Sequence, residues 1–171
     1  VGLAIALAAA PGGVKVFGEE RPVYWRESAS GHNKASYYIG KTLSSFPRII
    51  ISSLHFTAIY IVLACPPVTL AKQYPLHMMQ FFGVYGLSSI VSMIGIHTNA
   101  NLLAGVLCLF IAVFCGYGPN LNQARAWNLM WVWDLSYNRW STEAVLGEIA
   151  SKYEGLYDLP KSVERFGYDL Y

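Results

Sequence analysis

Charge is what this sequence most conspicuously lacks. Only 13% of its residues are Asp, Glu, Lys or Arg, about half the share found in soluble domains. Between Arg48 and Arg125 the single formal charge is Lys72. The helix of a soluble core shows a polar face every three or four residues, and the long apolar runs of this tract show none. The net charge of +2 is too small to attract nucleic acid, and no basic stripe alternates with aromatics, so a nucleic-acid partner is not expected. Cysteine is scarce too. Cys65, Cys108 and Cys115 lie in or beside apolar runs, without zinc spacing or the loop-borne framework of a small secreted domain, and read as packing residues. His32, His55, His77 and His97 are scattered, none with metal-ligand partners. No catalytic set and no metal site emerge, and the string of buried carboxylates that a proton-driven pump uses is missing. The chain opens on "VGLAIALAAA" without an initiator Met or a signal-peptide n-region, and is expected to be a piece of a longer polypeptide.

What is present is apolar length. Val1–Ala10 is too short to span a bilayer, ends at Pro11-Gly12-Gly13, and reads as the tail of a truncated helix. Arg48–Cys65 stops at Pro66-Pro67, Leu76–Ile96 follows a ten-residue connection, and Asn101–Gly118 stops at Pro119. Each approaches or exceeds the roughly 20 apolar residues of a spanning helix. The expected fold is all-α, a polytopic membrane helix bundle of three complete transmembrane helices plus a truncated one. Its divisions are the end of a transmembrane helix (1–13), a cytoplasmic coupling loop and helix start (14–46), three transmembrane helices (47–118), and an interfacial aromatic segment with an extracellular helical and loop region (119–171).

"ASYYIGKT" at 35–42 ends like a phosphate-binding loop. That loop needs a first glycine so that successive N–H groups can turn toward phosphate. Ala35 stands there, bulky Tyr37-Tyr38-Ile39 fill the interior, and the preceding residues are polar rather than strand-like. Gly40-Lys41-Thr42 is therefore not expected to hold a nucleotide.

Six basic residues, Lys15, Arg21, Arg26, Lys34, Lys41 and Arg48, crowd the segment before the second apolar run, which places it in the cytoplasm by the positive-inside rule. Alternation then puts everything after Pro119 outside, where seven acidic residues face five basic ones. Within the basic segment Glu19, Glu20, Arg21, Arg26 and Glu27 surround Tyr24 and Trp25. Such a segment can pass force to a soluble partner through ion pairs and aromatic packing, or it can be a solvated loop ordered by the membrane. Small residues recur every four on the last span: Ala100, Ala104, Cys108, Ala112 and Gly116. In lipid, helices associate by close backbone approach, so this ridge is a contact face, within the chain or across a dimer. Gly83, Gly86, Ser88 and Ser89 suggest a second. His55 is an ionisable residue inside a span, suited to bonding a hydroxyl or touching substrate. Beyond Pro119, "AWNLMWVWDLSYNRW" reads as an interfacial or partly re-entrant helix, Arg139 and Glu143 as an i,i+4 pair, and Ser141 as the N-cap of a short amphipathic helix.

Glu20-Arg21, Arg26-Glu27, Ser30-Gly31, Tyr38, Gly40-Lys41, Leu43 and Pro47 resemble, in order and spacing, the first intracellular loop and following helix of the G (White-type) subfamily of ATP-binding cassette transporters. "YWRESASG" and Tyr137-Asn138-Arg139-Trp140 with Glu143-Ala144 are similar to a branch with plant and protist members. The resemblance covers nearly the whole chain. It implies the end of helix two, helices three to five and most of the outer region of an ABC-2 type transmembrane domain. ATP and Mg would bind a nucleotide-binding domain that this chain lacks, so the chain would be no enzyme by itself, whereas the full-length protein would hydrolyse ATP. Partners implied are that cassette, a second transporter half in a homo- or heterodimer, and membrane lipids. The coupling loop would comprise Glu20, Arg21, Tyr24, Trp25, Arg26 and Glu27. Helix packing and the translocation path would involve Ala104, Cys108, Ala112, Gly116 and Tyr117, and the outer-loop signature Arg139, Trp140 and Glu143. Where some members of the family carry a leucine valve, this chain has Tyr117 and Gly118. The function implied is export of lipids or other hydrophobic compounds by alternating access, with plasma-membrane residence. The other reading from the residues is a non-transporting scaffold or assembly subunit.

Overall fold

In the computed structural model, residues 1–18, 20–94, 99–115 and 118–153 are described, and among them every regular element is helical. The long helices are α1 (Gly2–Gly18), α3 (Lys34–Ala64), α4 (Leu70–Ile94) and α5 (Ala100–Val113); α2 (Arg21–Ala29) joins α1 to α3. Beyond α5 come α6 (Leu121–Ala126), α7 (Met130–Leu135) and α8 (Tyr137–Tyr153).

The centre of the bundle is α4, against which α1, α3, α5 and α8 all pack. Close approach of α1 is permitted by Gly13. A Cβ there would lie 2.7 Å from the Ser88 Cβ and 2.9 Å from the Tyr85 carbonyl oxygen. Pro11 does not end this helix as expected from the sequence; α1 runs through Pro11-Gly12-Gly13 to Gly18. The Pro11 ring points outward while Ile5, Ala6, Ala9, Ala10 and Val14 are buried. A lost N–H bond is tolerated where neighbouring helices hold both halves in place.

The ridge on α5 faces inward. Ala104, Cys108 and Ala112 are wholly buried and Ala100 nearly so, packed against Ile5, Ala9 and Val14 of α1 and against Val84 and Val91 of α4. The ridge is thus a contact face within the chain, while Leu102, Leu103, Val106 and Phe110 turn outward. As described, α5 has 14 residues, about 21 Å at 1.5 Å per residue, shorter than the expected span over 101–118. Gly116 and Tyr117 lie outside the described residues, as does His97. On α4, Ser88 joins the seam, donating to the Val84 carbonyl and meeting Cys108 Sγ at 3.5 Å; Gly86 faces open space.

The outermost helix, α3, is inside-out by soluble standards. Its buried positions are Ile49, Ser53 and Thr57, whereas Ile50, Ile51, Leu54, Ile59, Val62 and Leu63 are exposed. Ser53 and Thr57 hide their hydroxyls by bonding carbonyls of their own helix at 3.0 and 2.7 Å. Polar groups turned inward and branched aliphatics turned outward suit a hydrocarbon solvent. Among the described residues, Gly2–Ala29 and Lys34–Ala64 are by length and composition long and apolar enough to cross a bilayer. Asn33 caps α3, accepting from the Ala35 N–H at 2.9 Å; Pro66 and the left-handed Cys65 (φ 43°) end it.

One expectation is reversed on α4. Gln73, His77, Gln80, Ser88 and Ser92 are all buried on this helix at spacings of three, four and eight residues, so a polar stripe does exist and it faces the core. The aromatic region also differs from a single interfacial helix. Asn128, at φ 54°, separates α6 from α7, and Ser136 turns the chain into α8. Ser141 lies inside α8 rather than at its start. Trp127, Trp131 and Trp140 are exposed, while Trp133 is buried against Phe114, Leu121 and Ala124.

Candidate functional site

The basic segment folds into α2 and its supports. Pro22 in the first turn presets the helical φ. Gly31, at φ 94°, lets the chain leave α2 and re-enter helix at Lys34, a backbone angle side chains resist. The six predicted residues of this segment divide by face. Arg21 and Tyr24 are half-buried against the bundle; Trp25, Arg26 and Glu27 are exposed, and Glu20 precedes the helix as its N-cap.

The inner side is tied to two long helices. Arg21 Nη2 donates to the Met93 carbonyl at 2.6 Å. Met93 sits in the last turn of α4, whose carbonyls have no partner within the helix and favour a cation through the helix dipole. Glu20 forms an ion pair with Lys41 of α3. Both groups are partly exposed, so the pair adds little stability, but it fixes where α2 sits. Tyr24 and Tyr37 meet with ring centroids 4.7 Å apart, and Phe17 stacks on Tyr38 at 5.6 Å. The ends of α1, α2, α3 and α4 thus form one aromatic and ionic junction.

Gly40-Lys41-Thr42 lies well inside α3, its N–H groups spent on helical bonds and its lysine engaged by Glu20.

At the opposite end, α8 is locked to the bundle. Asn138, 3% exposed, accepts from Gln80 Nε2 at 2.6 Å and donates to the Ala112 carbonyl at 2.7 Å. Ser136 donates to the Ile111 carbonyl at 2.8 Å and the Tyr137 hydroxyl to the Cys108 carbonyl at 2.9 Å. Three carbonyls in the second half of α5 thus receive side-chain donors from Ser136 and the first turn of α8. Arg139 reaches back to Asp134 rather than forward to Glu143, because the turn at Ser136 folds α7 beside α8, and its guanidinium lies 4.6 Å from the Trp140 ring centre. Glu143 is exposed. Lys72, the lone charge of the desert, pairs with Glu148 at 2.6 Å.

The structure exchanges two histidines. His55 is exposed, on the face of α3 opposite Ser53 and Thr57. His77 is fully buried, with Thr57 Oγ1 3.0 Å from Nδ1, Gln73 Nε2 3.0 Å from Nε2, and Phe56 and Tyr60 edge-on. The available signal was the Gln73-His77-Gln80 spacing, which puts three polar side chains on one stripe.

An all-helical bundle with polar groups inside, aliphatics outside and a helix bracing one end is a transmembrane domain. The chain belongs to the ABC-2 type transporter family, whose model matches residues 2–171. It is similar to the ABC-type transporter claG of Penicillium crustosum, 36% identical over 95% of this chain and 22% of that protein. Two plant relatives are more distant. The putative white-brown complex homolog protein 30 of Arabidopsis thaliana is 20% identical over 98% of this chain and 15% of its own length. ABC transporter G family member 25 of Oryza sativa subsp. japonica is 21% identical over 98% and 16%. The chain therefore spans about a fifth of the length of these relatives. No solved structure matches.

Proposed function

We propose that this chain is the membrane part of an ATP-driven exporter of lipids or other hydrophobic compounds, working by alternating access. Three complete spans, built on α3, α4 and α5, follow a partial one in α1, with α2 in the cytoplasm and α6 to α8 outside, at the plasma membrane. ATP and Mg are held by a separate nucleotide-binding domain, and a second half completes the path. The single observation that carries the reading is the double tether of α2, Arg21 to the Met93 carbonyl and Glu20 to Lys41. A push on the exposed Arg26–Glu27 face moves α2, and the tethers pass that displacement to α4 and α3 together. Family membership supplies the prior for a pump.

The test is ATP hydrolysis by the full-length protein in lipid vesicles, comparing wild type with Arg26→Glu plus Glu27→Arg. These side chains are exposed, so folding is unaffected. The expected result is retained basal hydrolysis with at least tenfold weaker stimulation by hydrophobic substrates. Folded wild-type protein without ATPase activity would instead leave a membrane scaffold. Unchanged stimulation in the variant would remove α2 as the coupling element.

A further inference from the structure

Beneath α2 lies a cavity of about 300 Å³, lined by Phe17, Arg21, Tyr24, Trp25, Lys34 and Tyr37, among others, with Met93 at its α4 side. We infer that this cavity is a binding site for the phosphate-bearing headgroup of an acidic phospholipid.

Four observations converge on it. The volume lies at the small end of ligand pockets, the size of a headgroup rather than a whole lipid. Two cations, Arg21 and Lys34, line it, Arg21 also holding the Met93 carbonyl; of the two acids that act on Tyr37, Glu20 and Glu27, neither lines the cavity and Glu20 is engaged by Lys41. The Tyr37 hydroxyl is buried without a hydrogen-bond partner among the described residues, which is costly for a polar group. A phosphate oxygen would accept from it. Finally, exposed apolar side chains run along the helices that line it, Ile39, Leu43 and Phe46 on α3 and Ile94 on α4, so acyl chains have a surface to follow away from the headgroup. Basic pockets between transmembrane helices at the membrane surface recur as sites for acidic lipids, and Arg is the residue best shaped for phosphate. A lipid seated there would wedge α2 against α3 and α4, making the tethers sensitive to the acidic-lipid content of the membrane.

Native mass spectrometry of the full-length protein, delipidated and re-exposed to equal phosphatidic acid and phosphatidylcholine, tests this without relying on export or hydrolysis. Wild type should retain phosphatidic acid about fivefold better, the effect expected of one basic residue at a lipid surface. Tyr37→Phe and Lys34→Gln should each remove most of that preference, with the melting temperature unchanged for Lys34→Gln and no lower for Tyr37→Phe, which deletes an unpaired buried hydroxyl. Arg21 is left intact because it also holds the Met93 carbonyl. Equal retention of the two lipids, or variants that bind like wild type, would overturn the inference. So would displacement of the lipid by inorganic phosphate alone, which would assign the cavity to a free anion.

Discussion

Replacing Gly13 by alanine should cripple the domain. The added methyl would meet the Tyr85 backbone at 2.9–3.0 Å and the Ser88 Cβ at 2.7 Å, and a backbone cannot rotate away as a flexible side chain can. Relief requires α1 and α4 to separate along the seam where Ala6, Ala9, Ala10 and Val84 are buried. Overpacking costs about 1–3 kcal/mol, and the upper figure applies where backbone is struck. For a chain of this size that is a fall in melting temperature of roughly 10 °C, measured in lipid nanodiscs. Gly86→Ala is the matched control. It meets nothing within 4 Å and should gain about 0.5–1 kcal/mol from lower unfolded-state freedom. Equal melting of the two variants would mean that the α1–α4 approach is looser than described.

The second large effect belongs to Asn138. Alanine there leaves the Gln80 amide and the Ala112 carbonyl without partners, in a site where Gln80 Oε1 already lacks one. Each buried polar group left unpaired costs about 1–3 kcal/mol, so about 4 kcal/mol is expected together. The loss should appear as release of α8, with trypsin cutting at Arg139 and Lys152 under conditions where wild type resists. Asn122→Ala, on an exposed position of α6, should leave the digestion pattern unchanged. A wild-type pattern for Asn138→Ala would show that Ser136 and Tyr137 hold α8 on their own.

Much of the architecture is legible in the sequence because lipid imposes strong composition rules. The charge desert announces membrane helices, and the four-residue spacing of Ala100, Ala104, Cys108 and Ala112 announces the buried face of α5. Breakers were less informative. Pro11 and the two glycines after it look like a stop, yet in a packed bundle they serve close approach, and tertiary contact overrides propensity. Polar residues misled for a related reason. His55 and His77 are alike as letters within apolar runs, and only the phase of each helix decides which one is buried. Reading the phase of α3 from Ser53 and Thr57, rather than from its aliphatic residues, would have placed His55 outside. For α2, the split between an inner Arg21–Tyr24 face and an outer Arg26–Glu27 face depends on how the chain turns at Gly31. The Arg139–Asp134 pair depends likewise on the turn at Ser136, which no helical spacing encodes.

The account stands or falls on α2 as a rigid link between a soluble motor and the long helices. The most direct measurement is substrate-stimulated ATP hydrolysis of full-length protein carrying Glu20→Lys, Lys41→Glu, or both. Each single reversal sets like charges against each other across the α2–α3 tether and should cut stimulation severalfold while the melting temperature holds, because the pair is partly exposed. The double reversal restores opposite charges and should recover most of the stimulation. Single reversals that leave stimulation at the wild-type level, or a double variant no better than either single one, would contradict the tether and with it the proposed route of force.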